Sequence, residues 1–317
     1  MKLLYCTKVA DEERVVREKL NGWDSVFSEA SVVELQADSA VEALSVFVDS
    51  GKVDAAVMDK FPALKLITTR STGYDHIDLA EAHKRGVVVC NVPAYGVHTV
   101  AEFAFALLLA LSRKVVQAHE RMHSAVPFNQ QGLTGFDLSG KTIGVVGTGS
   151  IGFHAVKIAT GFGMRVLAYD VVQNERVLAL GAQYLPLQEL LSQSDVVTLH
   201  VPYMPQTHHL LNREALSACK RGAYLINTAR GAVVDTDALI EALDAGILAG
   251  AGLDVLENET ELIESTKKLL AHERVLLTPH VAFDTAEAVQ RILDTTIENL
   301  EHFVAGTPVN TVALKAA

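Results

Sequence analysis

The stretch Thr142 to Asp170, TIGVVGTGSIGFHAVKIATGFGMRVLAYD, decides the fold. Thr142 to Val146 reads as a buried strand, Phe153 to Phe162 carries a helical pattern, and Val166 to Tyr169 reads as a second strand. Between the first strand and the helix lies Gly147-Thr148-Gly149-Ser150-Ile151-Gly152. Glycines at that spacing alone are weak evidence, but a strand before them and a helix after them complete a βαβ unit. There Gly147 permits a tight turn, Gly149 lets a pyrophosphate approach the backbone, and Gly152 lets helix and strand pack closely. The helix N-terminus, at Ser150 and Ile151, offers free N–H groups to negative charge. This unit is expected to bind a dinucleotide.

Asp170 lies 18 residues after Gly152, close to the roughly 20 at which an acid reaches the adenosine ribose hydroxyls. A carboxylate there repels a 2′-phosphate, and Val171-Val172-Gln173-Asn174 holds no Arg to attract one. NAD is therefore expected over NADP.

Working outward, strands are expected at 142–146, 165–169, 195–201, 223–227, 249–254 and 275–278, with helical segments between several of them, which implies a parallel, doubly wound sheet. Upstream, residues 2–7 read as a strand and 9–20 as a charged amphipathic helix. Leu64 to Thr69 reads as a strand ending at Ser71-Thr72-Gly73, Asp78 to Lys84 as a helix stopping at Gly86, and Val87 to Cys90 as a short buried strand. His98 to His123 reads as one long helix, followed by a polar stretch from Phe128 to Gly140. The last helix, Thr285 to Ala305, ends at Gly306 with Pro308 beyond it and is expected to return to the first domain. The fold expected is α/β with two doubly wound parallel-sheet domains. A Rossmann domain, residues 97–284, is inserted into a flavodoxin-like substrate domain made of residues 1–96 and 285–317, with the active site in the cleft.

Composition is consistent with this. A chain of 317 residues exceeds one compact core, and 49% hydrophobic with 21% charged residues describes a globular protein and not a disordered one. A net charge of -11 without a basic run argues against nucleic acid. The three cysteines, Cys6, Cys90 and Cys219, lack the spacing of a disulfide framework or a metal site, so no metal and a reducing, cytoplasmic compartment are expected. The most apolar run, Phe103 to Leu111, is less than half the ~20 residues of a membrane span.

Three strings fall near the ends of later strands, where doubly wound folds bind ligands. They are Ile226-Asn227-Thr228-Ala229-Arg230-Gly231, Gly252-Leu253-Asp254-Val255-Leu256-Glu257-Asn258-Glu259 and Leu277-Thr278-Pro279-His280-Val281-Ala282-Phe283. Together with the loop Arg70-Ser71-Thr72-Gly73-Tyr74-Asp75 they resemble the D-isomer-specific 2-hydroxyacid dehydrogenases over nearly the whole chain. The resemblance implies Arg230, Glu259 and His280 as the catalytic set. It also implies His200, Val201, Pro202, Thr228, Ala229, Asp254 and His280 as cofactor contacts, and a homodimer.

The chemistry fits those residue types. A 2-keto acid needs a cation for its carboxylate, and the planar fork of Arg230 can bind it and polarise the ketone. Charge that develops on the ketone oxygen can be met and protonated by the imidazolium of His280. A carboxylate on the other ring nitrogen, the role implied for Glu259, fixes the tautomer and favours the charged ring. In reverse, neutral His280 takes the hydroxyl proton. The adjacent His208 and His209 read as solvated loop residues.

The Thr72-Gly73 turn is expected to offer backbone N–H groups to the substrate carboxylate. Tyr95 sits where the D-lactate branch carries a substrate-contacting tyrosine, and Phe283 reads as an apolar wall. Both lean toward pyruvate and D-lactate, with phenylpyruvate, hydroxypyruvate and glyoxylate as alternatives. An NAD-sensing, corepressor-like binding protein shares the fold and is the non-enzyme alternative.

Overall fold

The computed structural model describes residues 1–7, 10–124, 126–259 and 263–313. Residues 314–317, the end of the expected substrate domain, and residue 9, the start of the expected first helix, lie outside the described residues. The chain divides into two compact units, Met1–Tyr95 with the chain from Thr285 onward, and Gly96–Asp284.

The first unit holds β1 (Lys2–Cys6), β2 (Asp24–Ser28), β3 (Val41–Val46), β4 (Leu66–Thr69) and β5 (Val88–Cys90), all parallel in the order β2-β1-β3-β4-β5. Alternation along β1 divides its side chains between two cores. Leu3 and Tyr5 join Leu293, Ile297 and Leu300 of the last helix, Ala286–Val304, whereas Leu4 and Cys6 join Val57, Met58 and Phe61 on the opposite face. The last helix thus belongs to this sheet. It is started by Thr285, whose side chain accepts from the Ala288 amide, and Gly306 follows at φ +76°.

The second unit holds β6 (Thr142–Val146), β7 (Arg165–Tyr169), β8 (Gln183–Tyr184), β9 (Val196–Leu199), β10 (Ala223–Asn227), β11 (Leu248–Leu253) and β12 (Val275–Leu277). All are parallel, in the order β12-β11-β10-β9-β6-β7-β8. The order reverses direction at β6, so the crevice at the C-terminal ends of β6 and β9 is the switch point where such sheets bind ligands. One face packs against helices Val97–Ser112 and Ser150–Gly161 through Ala101, Phe105, Leu108, Ala155 and Val156, the other against Leu190, Leu191, Leu239 and Leu243. Fully buried leucines such as Leu190 and Leu191 each contribute about 1.5–3 kcal/mol relative to exposure.

Three strands were not expected from sequence, and one helix divides. β2 is a polar edge strand, β8 has two residues, and β3 reads VEALSV, with Glu, Ala and Ser where strand formers are usual. β3 is nevertheless central and buried. The helix expected over His98 to His123 is two helices, Val97–Ser112 and Val115–Met122, separated at Lys114, which lies at φ +52° in the left-handed region. The Phe136 amide donates to the Ser112 carbonyl at 2.9 Å, which satisfies one of the carbonyls that the ended helix leaves open.

Candidate active site

The glycine loop joins β6 to helix Ser150–Gly161. Gly147 lies at φ +92°, and a Cβ there would sit 2.7 Å from the His200 carbonyl, while a Cβ on Gly152 would overlap the Gly147 carbonyl. Neither position admits a side chain. Between them Thr148 is buried and held on every polar atom. Its amide and hydroxyl donate to Asp170 Oδ2 at 2.6 and 3.1 Å, its hydroxyl accepts from Tyr184 at 2.7 Å, and its carbonyl accepts from Asn174 Nδ2 at 2.8 Å. Asp170 Oδ1 accepts from the Val171 amide at 2.7 Å.

These residues fit a dinucleotide. Gly149 is the N-cap of the helix, makes no side-chain cap and faces open space, so among the described residues no side chain caps the first N–H groups of the helix at Ser150, Ile151 and Gly152. Two buried polar atoms at neighbouring strand ends, His200 Nδ1 after β9 and Thr228 Oγ1 after β10, have no hydrogen-bond partner among the described residues. Burial pushes the His200 imidazole down to about 4, so it is neutral at pH 7, with Nε2 3.0 Å from Thr198 Oγ1. Val201 and Ala229 pack against the adjoining core, and the Pro202 carbonyl accepts from Thr207 Oγ1 at 2.7 Å.

Arg230 follows β10 in a loop braced by buried Asn227, whose Nδ2 donates to the Arg230 carbonyl and whose Oδ1 accepts from the Ala229 amide, both at 3.0 Å. Gly231 lies against the Leu256–Glu257 backbone so closely that any Cβ would overlap it. That contact sets the Arg230 loop beside the segment that carries Glu259.

His280 follows β12 at φ +54°, a conformation that costs an L-residue roughly 1–2 kcal/mol. Asp254, buried at the end of β11, outweighs the cost. Its carbonyl accepts from the His280 amide at 2.9 Å, Oδ1 accepts from Thr278 Oγ1 at 2.5 Å and from the Val281 amide at 3.0 Å, and Oδ2 accepts from the Ala282 amide at 2.8 Å. Bonds to a charged acceptor are worth about 1.5–3 kcal/mol each. Burial raises the Asp254 pKa, against the pull of the bonds from Thr278, Ala282 and Val281 and of the His280 charge.

The ring so oriented places Nδ1 2.9 Å from Glu259 Oε2. Burial works against the charged Glu259 carboxylate, but the His280 bond and charge, the Leu256 amide and the nearby Arg230 charge together hold its pKa below the ordinary value. Glu259 thus engages Nδ1, and Nε2 is the other ring nitrogen.

His209, expected as a solvated loop residue, is instead a brace. It lies at φ +47°, its Nε2 is 2.6 Å from Glu257 Oε1, and Glu257 Oε2 accepts from Thr236 Oγ1 at 2.7 Å. The His209 amide also donates to the Ala232 carbonyl at 2.9 Å. The loop after β9 is thereby tied to the segments that flank Arg230 and Glu259. His209 and Glu257 are 48 positions apart, and no spacing rule links them.

Thr72, Gly73 and Tyr95 lie in the first unit and Phe283 in the second. Thr72 Oγ1 donates to the Val92 carbonyl at 2.8 Å, its carbonyl accepts from Asn91 Nδ2 at 2.9 Å, and the Gly73 carbonyl accepts from Ser71 Oγ at 2.6 Å. The Tyr95 carbonyl accepts from Arg291 Nε at 2.7 Å.

Residues 105–282 match the family model of the D-isomer specific 2-hydroxyacid dehydrogenase NAD-binding domain. The chain is 39% identical to D-lactate dehydrogenase of Escherichia coli, over 96% of this chain and 98% of that one. It is 43% identical to glyoxylate reductase of Korarchaeum cryptofilum over 80% and 77% of the two chains. Among solved structures, D-lactate dehydrogenase from Aquifex aeolicus complexed with NAD and lactic acid superposes with a TM-score of 0.91 at 36% identity, covering 99% of this chain and 100% of that one. The chain belongs to the D-isomer-specific 2-hydroxyacid dehydrogenases, NAD-dependent oxidoreductases that act on small 2-hydroxy and 2-keto acids.

Proposed function

We propose that this enzyme reduces pyruvate to D-lactate and catalyses the reverse reaction, with His280 as the proton donor and acceptor. The observation that carries the reading is the His280 Nδ1 to Glu259 bond at 2.9 Å beside the Arg230 loop. When bound, NAD supplies or accepts the hydride. Every other step belongs to the protein's own residues. Arg230 takes the substrate carboxylate and polarises the ketone, with the Thr72-Gly73 backbone as a second set of donors. His280 presents Nε2 to the ketone oxygen and gives it a proton, while Glu259 stabilises the charged ring and fixes its tautomer. Gly147, Gly149, Ser150, Ile151 and Gly152 cradle the pyrophosphate and Asp170 takes the adenosine ribose, with His200, Val201, Pro202, Thr228, Ala229 and Asp254 on the nicotinamide side. Tyr95 and Phe283 favour a small, lactate-like side chain.

Steady-state assays of pyruvate, phenylpyruvate, hydroxypyruvate, glyoxylate and oxaloacetate, each with NADH and NADPH, test this. Pyruvate with NADH is expected to give the highest kcat/KM, and chiral analysis of the product to give D-lactate. Preference for glyoxylate or hydroxypyruvate would move the enzyme to the glyoxylate reductase side of the family. NADH binding without turnover of any keto acid would favour the corepressor-like reading.

The working form in this proposal is a homodimer. Helix Val115–Met122 buries none of its residues, and Val115, Met122, Val126 and Phe128 are 54%, 45%, 65% and 87% exposed. So much apolar surface on one segment fits cover by a second copy. Light scattering is expected to return twice the 34.1 kDa of one chain, and a Phe128→Asp variant to shift toward monomer. A reducing compartment such as the cytoplasm accords with free, buried Cys6, Cys90 and Cys219.

A further inference from the structure

Three asparagines form an unbroken chain of amide hydrogen bonds within the first unit. Asn310 Nδ2 donates to Asn299 Oδ1 at 2.9 Å, Asn299 Nδ2 donates to the Asn91 carbonyl at 2.9 Å, and Asn91 Nδ2 donates to the Thr72 carbonyl at 2.9 Å. The Asn91 amide also donates to the Asn310 carbonyl at 3.1 Å, so the tail meets the residue after β5 directly as well as through Asn299. Asn299 is fully buried on the last helix, and Asn310 lies at φ +51°, in the left-handed region that asparagine tolerates better than most residues.

The chain ends on the Thr72-Gly73 peptide, a donor to the substrate carboxylate in the proposed function. In a trans peptide the carbonyl of Thr72 and the N–H of Gly73 point in opposite directions. By holding the Thr72 carbonyl, Asn91 sets the direction of the Gly73 N–H, and Ser71 Oγ fixes the next peptide through the Gly73 carbonyl at 2.6 Å. A purely apolar contact at position 299 would fill the same space without directing anything. A buried amide with both its acceptor and its donor engaged is costly to leave half-satisfied, so it locks the geometry it bridges.

We propose that Asn299 is a positioning residue for substrate binding: through Asn91 it orients the Thr72-Gly73 peptide so that its N–H meets the carboxylate of the 2-keto acid. The proposal rests on the reading of Thr72-Gly73 as a carboxylate-binding turn. It also gives the return of the C-terminal helix to the first unit a role in affinity.

The test is steady-state kinetics of full-length Asn299→Leu, Asn91→Ala and the double variant with NADH and pyruvate, or whichever keto acid of the panel the wild type turns over best. The expected result is a KM for keto acid raised about tenfold in each single variant, with kcat and the KM for NADH within about twofold of wild type. The double variant is expected to be no worse than the weaker single one, because both break the same chain. A lowered melting temperature with unchanged keto-acid KM would assign Asn299 a structural role only and overturn the proposal. If Asn299→Leu does not fold, Asn91→Ala decides alone, since Asn91 is only half-buried, and an unchanged KM there also overturns it. Equal losses for keto acid and NADH would contradict the orienting role while leaving the dehydrogenase reading intact. A wild type inert toward every keto acid would remove both.

Discussion

His280 Nδ1 stands 2.9 Å from Glu259 Oε2, on a residue held at φ +54° by the buried carboxylate of Asp254. The pair is thus made by two acids with different tasks. Asp254 fixes the backbone that presents the ring, and Glu259 meets the ring itself.

Replacing Glu259 by Gln keeps the shape and removes the charge. We expect kcat for keto-acid reduction at pH 7 to fall by about 10², with the dissociation constant for NADH, read by fluorescence, within twofold. The Glu259 pKa lies below its ordinary 4.5. The folded value is lower than the unfolded one, so the pair is intact above the ordinary carboxylate value and is lost only as pH falls through the lower, folded one. A carbon-detected NMR titration of the Glu259 carboxyl is expected to show a midpoint under 4.5, and a midpoint above it would contradict the pairing.

Arg230 and the cofactor loop are separate in structure, since Arg230 is braced by Asn227 while the glycine loop is held through Thr148, Asp170, Asn174 and Tyr184. Arg230→Ala is therefore expected to cost on the order of 2–5 kcal/mol in kcat/KM for keto acid and to leave NADH affinity nearly unchanged. Parallel losses in both would show that Arg230 also shapes the cofactor site.

Asp170 holds Thr148 and the Val171 amide, and in the proposed function it also takes the adenosine ribose. Asp170→Ser combined with Val171→Arg, at a position 90% exposed, is expected to weaken NADH by about tenfold, since the loop loses its carboxylate, and to improve NADPH relative to NADH. An unchanged NADPH to NADH ratio in kcat/KM would take the ribose away from Asp170.

Much of the fold was legible because the relevant signals are local. The β6 to β7 unit declares itself through a buried strand run, glycine spacing and helical periodicity within thirty residues. Asp78 and Thr285, which cap their helices, sit directly before the helical patterns. β3 was not legible, because Glu42 and Ser45 contradict strand patterning and only pairing with β1 and β4 makes the segment a strand. The left-handed Lys114 that splits the long helix leaves no mark in an otherwise helical sequence. Arg230, Glu259 and His280 were nominated by resemblance. The contacts that brace the surrounding loops came only from the structure: His209 with Glu257 and the three-asparagine chain join residues far apart in sequence that no periodicity pairs, and Asn227 holds the Arg230 carbonyl only three residues on through a loop geometry that no pattern announces.

Burial leaves His200 at about 4 against an ordinary 6.5. Between those values the unfolded chain binds the extra proton, so stability falls as pH drops through that window and is independent of His200 above it. The loss amounts to about 2 kcal/mol at pH 5. Urea denaturation at pH 7 and pH 5 is expected to show it in the wild type, and a His200→Asn variant to lose most of that pH dependence. An equal slope in both proteins would place the acid sensitivity elsewhere.

In the proposed function His280 carries the proton to the ketone oxygen. Its most direct test is NADH oxidation by pyruvate in the wild type and in His280→Asn, with NADH affinity measured on both. A kcat lower by about 10³ in the variant, with NADH binding retained, is expected. A variant that keeps wild-type turnover within tenfold would contradict it.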